Sequence, residues 1–165
     1  MGNDDEKKNN VDFSDQEFND IMLGLAWKRF EQVFNDKRDI EQKSSLILTA
    51  NGVLLGLVIN GFDVLNKGSA FLGIIAIFFS SLFCIISLKP RKYSHIGVNE
   101  SWESLKEFKS DIGKVKMGIF GTIGSNELIN RTNVESAANW FEYAIWFFLI
   151  SVSLIIIAIV DKNFF

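Results

Sequence analysis

A glycine-rich stretch in the second half of the chain carries the residues best suited to binding a ligand. Its glycines recur every three residues, at Gly118, Gly121 and Gly124. Basic residues accompany them along the sequence, at Lys114, Lys116 and Arg131. Successive backbone N–H groups in an irregular loop can surround an anion. We therefore predict an irregular stretch that is a candidate ligand site, with a turn packed near the membrane as the structural alternative. The same basic side chains would also suit anionic lipid.

Four polar residues fall in or beside long apolar runs, where polar groups are costly and usually have a partner or a function. They are Lys43, Asn51, Asn60 and Glu142. We expect the Asn51 amide to bond another helix, in the same chain or in a neighbouring subunit, because an unpaired amide in hydrocarbon is unfavourable. A pore-lining or gating role is the alternative. Glu142 is surrounded by aromatic residues, so we expect it at the level of the lipid headgroups.

The side chains that most enzymes need are scarce. His95 is the single histidine and Cys84 the single cysteine, so neither a two-histidine metal site nor an internal disulfide can form. The sequence contains no nucleophile elbow and no phosphate-binding lysine loop. We predict that the protein is not an enzyme and has no catalytic residue, metal site, cofactor or nucleic-acid partner.

The composition places these residues in a membrane protein. Of 165 residues, 48% are hydrophobic, and the formal net charge is -3. About 20 apolar residues cross a hydrocarbon core as a helix, and three runs approach that length: residues 44–62, 68–88 and 139–160. We predict an all-α membrane protein with three transmembrane helices, a long N-terminal amphipathic helix and a helical cytoplasmic loop.

The remaining segments connect and flank the spans. We predict a disordered tail at 1–13, a cytoplasmic helix leading into the membrane at 14–43, a helical cytoplasmic loop at 89–138 and an external tail at 161–165. Ser14 with Glu17 is a capping box that predicts a helix start, and Thr132 with Glu135 is a second one that opens the third spanning helix. Pro90 should end the second span, because proline cannot continue the hydrogen-bond ladder.

Basic residues gather before the first span and between the second and third. The positive-inside rule therefore predicts that the N-terminus and the long loop are cytoplasmic, and that the C-terminus lies outside the inner (plasma) membrane. Within that loop an amphipathic stripe that includes Trp102 predicts a helix in need of a partner.

Small residues recur at helical spacing on one face of each of the first two spans. These two stripes are Ser45, Thr49, Gly52, Gly56 and Asn60, and then Ser69, Gly73, Ala76, Ser80, Cys84 and Ser87. Membrane helices associate where small residues allow close approach, so we predict that the stripes face each other in an antiparallel hairpin. Three spans from one chain enclose no pore, so any conductance would require a homo-oligomer.

The segment "FNDKRDIEQKSSLILTANGVLLGLV", together with "SSLFCIISLKPRK", resembles the transmembrane effector domains of Pycsar antiphage systems. The matching positions are Asp39, Lys43, Asn51, Gly52 and Pro90, and "IFGTIGSNEL" is similar to a glycine-containing stretch of the family. The resemblance implies a membrane effector that responds to a cyclic pyrimidine nucleotide, cUMP or cCMP, made by a partner cyclase during infection. It also implies that activation impairs the bilayer and kills or arrests the infected cell.

Two other functions fit the same sequence. One is a structural or adaptor membrane protein that recruits a cytoplasmic partner through the Trp102 face and binds no ligand. The other is a related stress effector with a different nucleotide trigger.

Overall fold

The computed structural model describes residues 15–94 and 112–164, and three long helices account for most of them. Helix α1 runs from Asp15 to Asn60, α2 from Lys67 to Leu88 and α3 from Ile112 to Phe164, with a short 3₁₀ turn at Phe62–Val64. All three helices are long and apolar enough to cross a membrane. The predicted fold class is therefore confirmed, including the long first helix.

Helix α1 continues through the charged segment into the apolar one without interruption. No proline lies within it, and two side-chain pairs four residues apart support its surface. These are Lys37 with Glu41 at 3.6 Å and Lys43 with Asp39 at 3.5 Å. Each pair contributes only a few tenths of a kcal/mol, as is usual for exposed pairs.

Helix α2 has well-defined ends. The Asn66 side chain caps its N-terminus by accepting hydrogen bonds from the N–H groups of Gly68 at 3.0 Å and Ser69 at 3.4 Å. The Asn66 backbone N–H donates to the Ala158 carbonyl at 3.0 Å, which fixes the turn against α3. At the other end the helix stops at Leu88, two residues before Pro90, as predicted.

Helix α3 differs from the sequence expectation. It is continuous from Ile112 to Phe164, so the predicted irregular stretch and the predicted helix start at Thr132 are both wrong. The Thr132 hydroxyl donates to the Leu128 carbonyl at 3.1 Å, one turn back within the helix, instead of capping a new one. Each glycine costs a helix only about 1 kcal/mol relative to alanine, and no proline forces a break.

The chain divides into two compact units. The first comprises residues 1–30 and 95–126, and in its described part an ion pair joins Lys116 to Asp20, with Ala26 and Ile123 buried. The second comprises residues 31–94 and 127–165 and contains the three most apolar helical segments.

Buried residues in the second unit recur every seven positions on all three helices. They are Ser44, Asn51 and Val58 on α1; Ala70, Ile77, Cys84 and also Gly73, Ser80, Ser87 on α2; and Asn130, Ala137, Ala144, Ser151, Ala158 on α3. A seven-residue repeat is the spacing by which helices keep one seam facing their neighbours. Most of these residues are small, so the three backbones approach closely.

Several predictions from sequence fall outside the described residues. The tail at 1–13, the Ser14 cap, His95 and most of the stripe around Trp102 lie there.

Candidate functional site

Two layers of hydrogen bonds cross the interior of the second unit, and each joins all three helices. In the first layer the Ser44 hydroxyl donates to the Ser87 oxygen at 3.3 Å, and the Ser87 hydroxyl donates to the Ala137 carbonyl at 3.0 Å. Ser44 is fully buried and Ser87 almost so. The layer therefore connects α1, α2 and the α3 backbone.

The second layer lies seven residues away on each helix, later in the sequence on α1 and α3 and earlier on the antiparallel α2. The Asn51 side-chain N–H donates to the Ser80 oxygen at 2.9 Å, and the Ser80 hydroxyl donates to the Ala144 carbonyl at 2.9 Å. Asn51 is 1% exposed, and its carbonyl oxygen Oδ1 accepts no hydrogen bond from any described residue. A buried acceptor without a donor is costly, so this layer is satisfied only in part. The sequence expectation that Asn51 bonds another helix is met within the chain.

Close packing continues beyond the second layer at Gly73. A Cβ atom placed there would lie 3.2 Å from Cγ1 of Ile155 and 3.7 Å from the Ser151 carbonyl. A side chain at this position would therefore require Ile155 to shift by a few tenths of an ångström. Ala76, Ser80, Cys84 and Ser87, which follow Gly73 in the stripe predicted on α2, are also buried.

The packing face predicted for α1 is wrong. Gly52 and Gly56 are exposed, and a Cβ atom added to either would meet nothing within 4 Å. The face that packs instead carries Ser44, Asn51 and Val58, rotated from the predicted stripe. The other intramembrane polar residues predicted as functional, Lys43, Asn60 and Glu142, are exposed as well.

An aromatic cluster joins α2 to α3 beside the second layer. The Phe83 ring lies 5.4 Å from that of Phe147, 5.7 Å from that of Trp140 and 5.9 Å from that of Tyr143. Aromatic pairs at these separations add about 0.5–1.5 kcal/mol beyond the area they bury. Tyr143 and Trp140, which flank the exposed Glu142, thus help hold these two helices together.

A cavity of about 170 Å³ adjoins the first polar layer where α2 ends. Its lining residues come from α1, from the end of α2 with the segment after it, and from α3: Lys37, Ile40, Glu41, Ser87, Leu88, Lys89, Pro90, Arg91, Tyr93 and Ala137. Three of these side chains are basic and one is acidic. Ser87 and Ala137 belong to both the cavity and the polar layer, so the layer forms part of the cavity wall.

Two amides on α3 hold the segment after α2 in place. The Asn130 side chain accepts from the Ser94 N–H at 2.7 Å and donates to the Ser94 carbonyl at 2.9 Å. Asn133 donates to the Lys92 carbonyl at 2.9 Å. Because Asn130 is fully buried, this two-way pairing fixes the extended segment that carries Arg91 and Tyr93.

The tyrosine in this cavity lies among charged groups. The Lys37 ammonium is 4.3 Å from the centre of the Tyr93 ring, a cation–π contact, and 3.6 Å from the Glu41 carboxylate. Burial raises the pKa of Tyr93 above its ordinary value, while the positive charge and hydrogen bond of Arg91 oppose the rise and Glu41 adds to it. The phenol is therefore neutral at physiological pH and can donate or accept a hydrogen bond.

The glycine-rich stretch lacks the geometry predicted for it. The backbone of Gly118, Gly121 and Gly124 is part of α3, so their N–H groups serve the helix and do not form an anion cradle. The basic residues near it are also engaged. Lys116 pairs with Asp20, and Arg131 contacts Glu127 at 4.0 Å and Glu135 at 3.1 Å. Lys114 likewise has a partner.

The cavity residues were not singled out from the sequence. In the sequence Lys37 and Glu41 have the spacing of a helix-surface pair, and Arg91 is one of the basic residues that predict orientation. The one available signal was the basic run on either side of Pro90, directly after an apolar span. Its pairing with α1 depends on the antiparallel return of the chain, which brings residues 50 positions apart together.

The chain matches a known family model. The model of the Pycsar effector protein domain, PycTM, matches residues 25–160 of the chain. No curated protein matches. No solved structure matches either.

Proposed function

The chain belongs to the family of Pycsar effector protein domains, and from that membership we propose that it responds to cUMP or cCMP by impairing the bilayer. The family supports an antiphage effector role with a cyclase as its partner in the system. The three apolar helices make it a membrane protein. The nucleotide trigger, the damage to the inner membrane and a cytoplasmic N-terminus are parts of the proposal.

The observation that carries the proposal is the polar interior of the helical bundle. In a membrane bundle a buried hydroxyl or amide stabilises the contact between helices when it is bonded, whereas one that lacks a partner is costly. Here the seam contains Ser44, Asn51, Ser80, Ser87 and Ser151, and the Asn51 carbonyl lacks a donor. The unpaired Asn51 carbonyl makes this arrangement less stable than a fully bonded one, so a second arrangement of the helices that gives it a donor is within reach.

The outer face of α1 supports assembly as the second part of the mechanism. Gly52 and Gly56 form a G-x-x-x-G spacing on an exposed face, the pattern by which membrane helices dimerise. Since the three spans found among the described residues enclose no pore, we infer that copies associate before the bilayer is breached. The resting protein keeps its polar seam inside, and ligand binding turns that seam toward neighbouring copies.

Leakage from liposomes tests this function directly. Purified protein is inserted into dye-loaded liposomes, and cUMP, cCMP, cAMP or cGMP is added separately. We expect dye release with one of the two cyclic pyrimidine nucleotides and none with the purine ones. Inserted protein that releases no dye with any of the four would contradict the proposal.

A further inference from the structure

We propose that the cavity at the end of α2 binds a phosphodiester anion and that binding is sensed by the first polar layer. Cyclic nucleotides and membrane phospholipids both carry this monoanionic group, so the chemistry is shared and the experiment separates the two sources. The nucleotide arm rests on the proposed function, whereas the lipid arm does not.

The charge of the cavity favours an anion. Lys37, Lys89 and Arg91 line it, against one carboxylate, that of Glu41. Of these three basic side chains, only Lys37 lies at ion-pair distance from a carboxylate of the described residues, that of Glu41. A helix C-terminus carries a charge of about -0.5, so the end of α2 opposes an anion but does not cancel this excess. Arg91 in particular offers the paired N–H donors that match phosphate oxygens.

The size and place of the cavity fit the same group. Its volume of about 170 Å³ is below the range of about 300–1,000 Å³ for pockets that enclose a whole drug-sized ligand. A phosphate group with its nearest substituents fits inside, and the remainder of a nucleotide or lipid would extend through the opening. The cavity lies where a spanning helix ends, which is the depth of lipid headgroups.

The wall of the cavity connects binding to the helical bundle. Ser87 lines the cavity, and its hydroxyl donates to the Ala137 carbonyl and accepts from Ser44. A phosphate oxygen is a stronger acceptor than a peptide carbonyl, because charged hydrogen bonds are about twice as strong as neutral ones. An anion reaching Ser87 would therefore compete for its proton and weaken the contact between α2 and α3.

The test uses full-length protein in nanodiscs, with and without phosphatidylglycerol, and equilibrium dialysis of labelled cUMP and cCMP. Bound phosphatidylglycerol is counted by native mass spectrometry. Arg91→Gln should weaken binding about 10- to 100-fold, the value of one charge-assisted hydrogen bond. Glu41→Gln should strengthen it, because a repelling charge is removed.

Lys92→Gln is the matched control. It removes the same charge one position along the chain, from an exposed side chain that does not line the cavity, so binding should change less than about twofold. Circular dichroism and gel filtration check that each variant is folded. Arg91→Gln should lower the binding affinity and Glu41→Gln should raise it, and loss of folding cannot produce both changes.

Each outcome has a definite meaning. If nucleotide binding is weaker in Arg91→Gln, stronger in Glu41→Gln and nearly unchanged in Lys92→Gln, the site is supported and the nucleotide is its ligand. If the wild type binds no nucleotide but retains phosphatidylglycerol, and Arg91→Gln loses that lipid, the site is supported and its phosphodiester comes from a lipid. Nucleotide binding that Arg91→Gln and Lys92→Gln change equally overturns the cavity as the site but leaves the proposed function standing. Binding of neither probe overturns the site, and the leakage experiment then judges the function separately.

Discussion

The hydrogen bond between Asn51 and Ser80 can be tested by a double-mutant cycle. In this cycle the effect of Asn51→Leu on the free energy of unfolding should change sign when Ser80 is also replaced. Ser80→Ala removes two bonds, from Asn51 and to the Ala144 carbonyl. Interhelical hydrogen bonds in membranes average about 0.6 kcal/mol and reach about 1.7. We therefore expect Ser80→Ala to lower the free energy of unfolding by about 1–3 kcal/mol.

Asn51→Leu should behave differently in the two backgrounds. In the wild type it removes one good bond but also the Oδ1 atom that has no donor, so the loss should stay below about 1 kcal/mol. With Ser80→Ala already present the amide has no bond left to lose. Replacing it by leucine should then stabilise the protein by relieving a buried unpaired group.

Reversible unfolding by sodium dodecyl sulfate in mixed micelles, followed by circular dichroism, measures these differences. Thr49→Val is the control on the same helix. The Thr49 hydroxyl is exposed and bonds only the Ser45 carbonyl of its own helix at 3.0 Å, so the expected change is below about 0.5 kcal/mol. If Asn51→Leu has the same effect with and without Ser80, the two side chains are not coupled and the layer has been misinterpreted.

Three further measurements probe other parts of the second unit. Gly73→Val should destabilise the protein by about 1–3 kcal/mol in the same assay, because the added atoms meet α3, whereas Gly52→Val should not; equal effects would exclude close packing at Gly73. Phe83→Leu should cost about 1–3 kcal/mol through its four lost ring contacts, three of them with α3, and a change within error would show that the cluster contributes only area. Tyr93 should ionise above its usual pKa of 10.0, by ultraviolet titration in a Tyr143→Phe background, and Arg91→Gln should raise that pKa further. Since the folded state holds this proton more tightly, the associated stability is present below pH 10 and is lost as the pH rises through the folded-state pKa; a lower pKa in Arg91→Gln would contradict the assigned contacts.

The membrane fold was predictable because composition and run length alone determine it. Three apolar runs of sufficient length, with Pro90 at the end of one, leave few other arrangements. The small-residue stripe on α2 also coincides with buried positions from Gly73 to Ser87. There the hydrophobic and small residues alternate so sharply that one face stands out.

The packing face of α1 could not be chosen by residue size. Small residues follow two neighbouring faces of this helix, and the stripe with more glycines, through Gly52 and Gly56, is the exposed one. The seven-residue spacing of Ser44, Asn51 and Val58 marks the buried face. A spacing shown by three residues is a weak signal when the partner helices are not known.

Local sequence patterns predicted interruptions in α3 that the structure does not have, because the packing of the whole helix outweighs them. Three glycines and the Thr132–Glu135 capping box each indicate an interruption when taken alone. In the structure the helix passes through all of them, and Thr132 bonds backward within it. The cavity could not be predicted from the sequence for another reason, because it forms only where α1, the segment after Pro90 and α3 meet.

The hydrogen-bond acceptors on α3 determine which substitutions this protein can tolerate in evolution. Both polar layers end on main-chain carbonyls, those of Ala137 and Ala144, and not on side chains. A carbonyl is supplied by every residue, so these two positions need only to be small, whereas Ser80 and Ser87 need a hydroxyl. Substitutions on α2 should therefore have no compensating partner on α3. Pairwise covariation between the two helices should be weak even though hydrogen bonds join them.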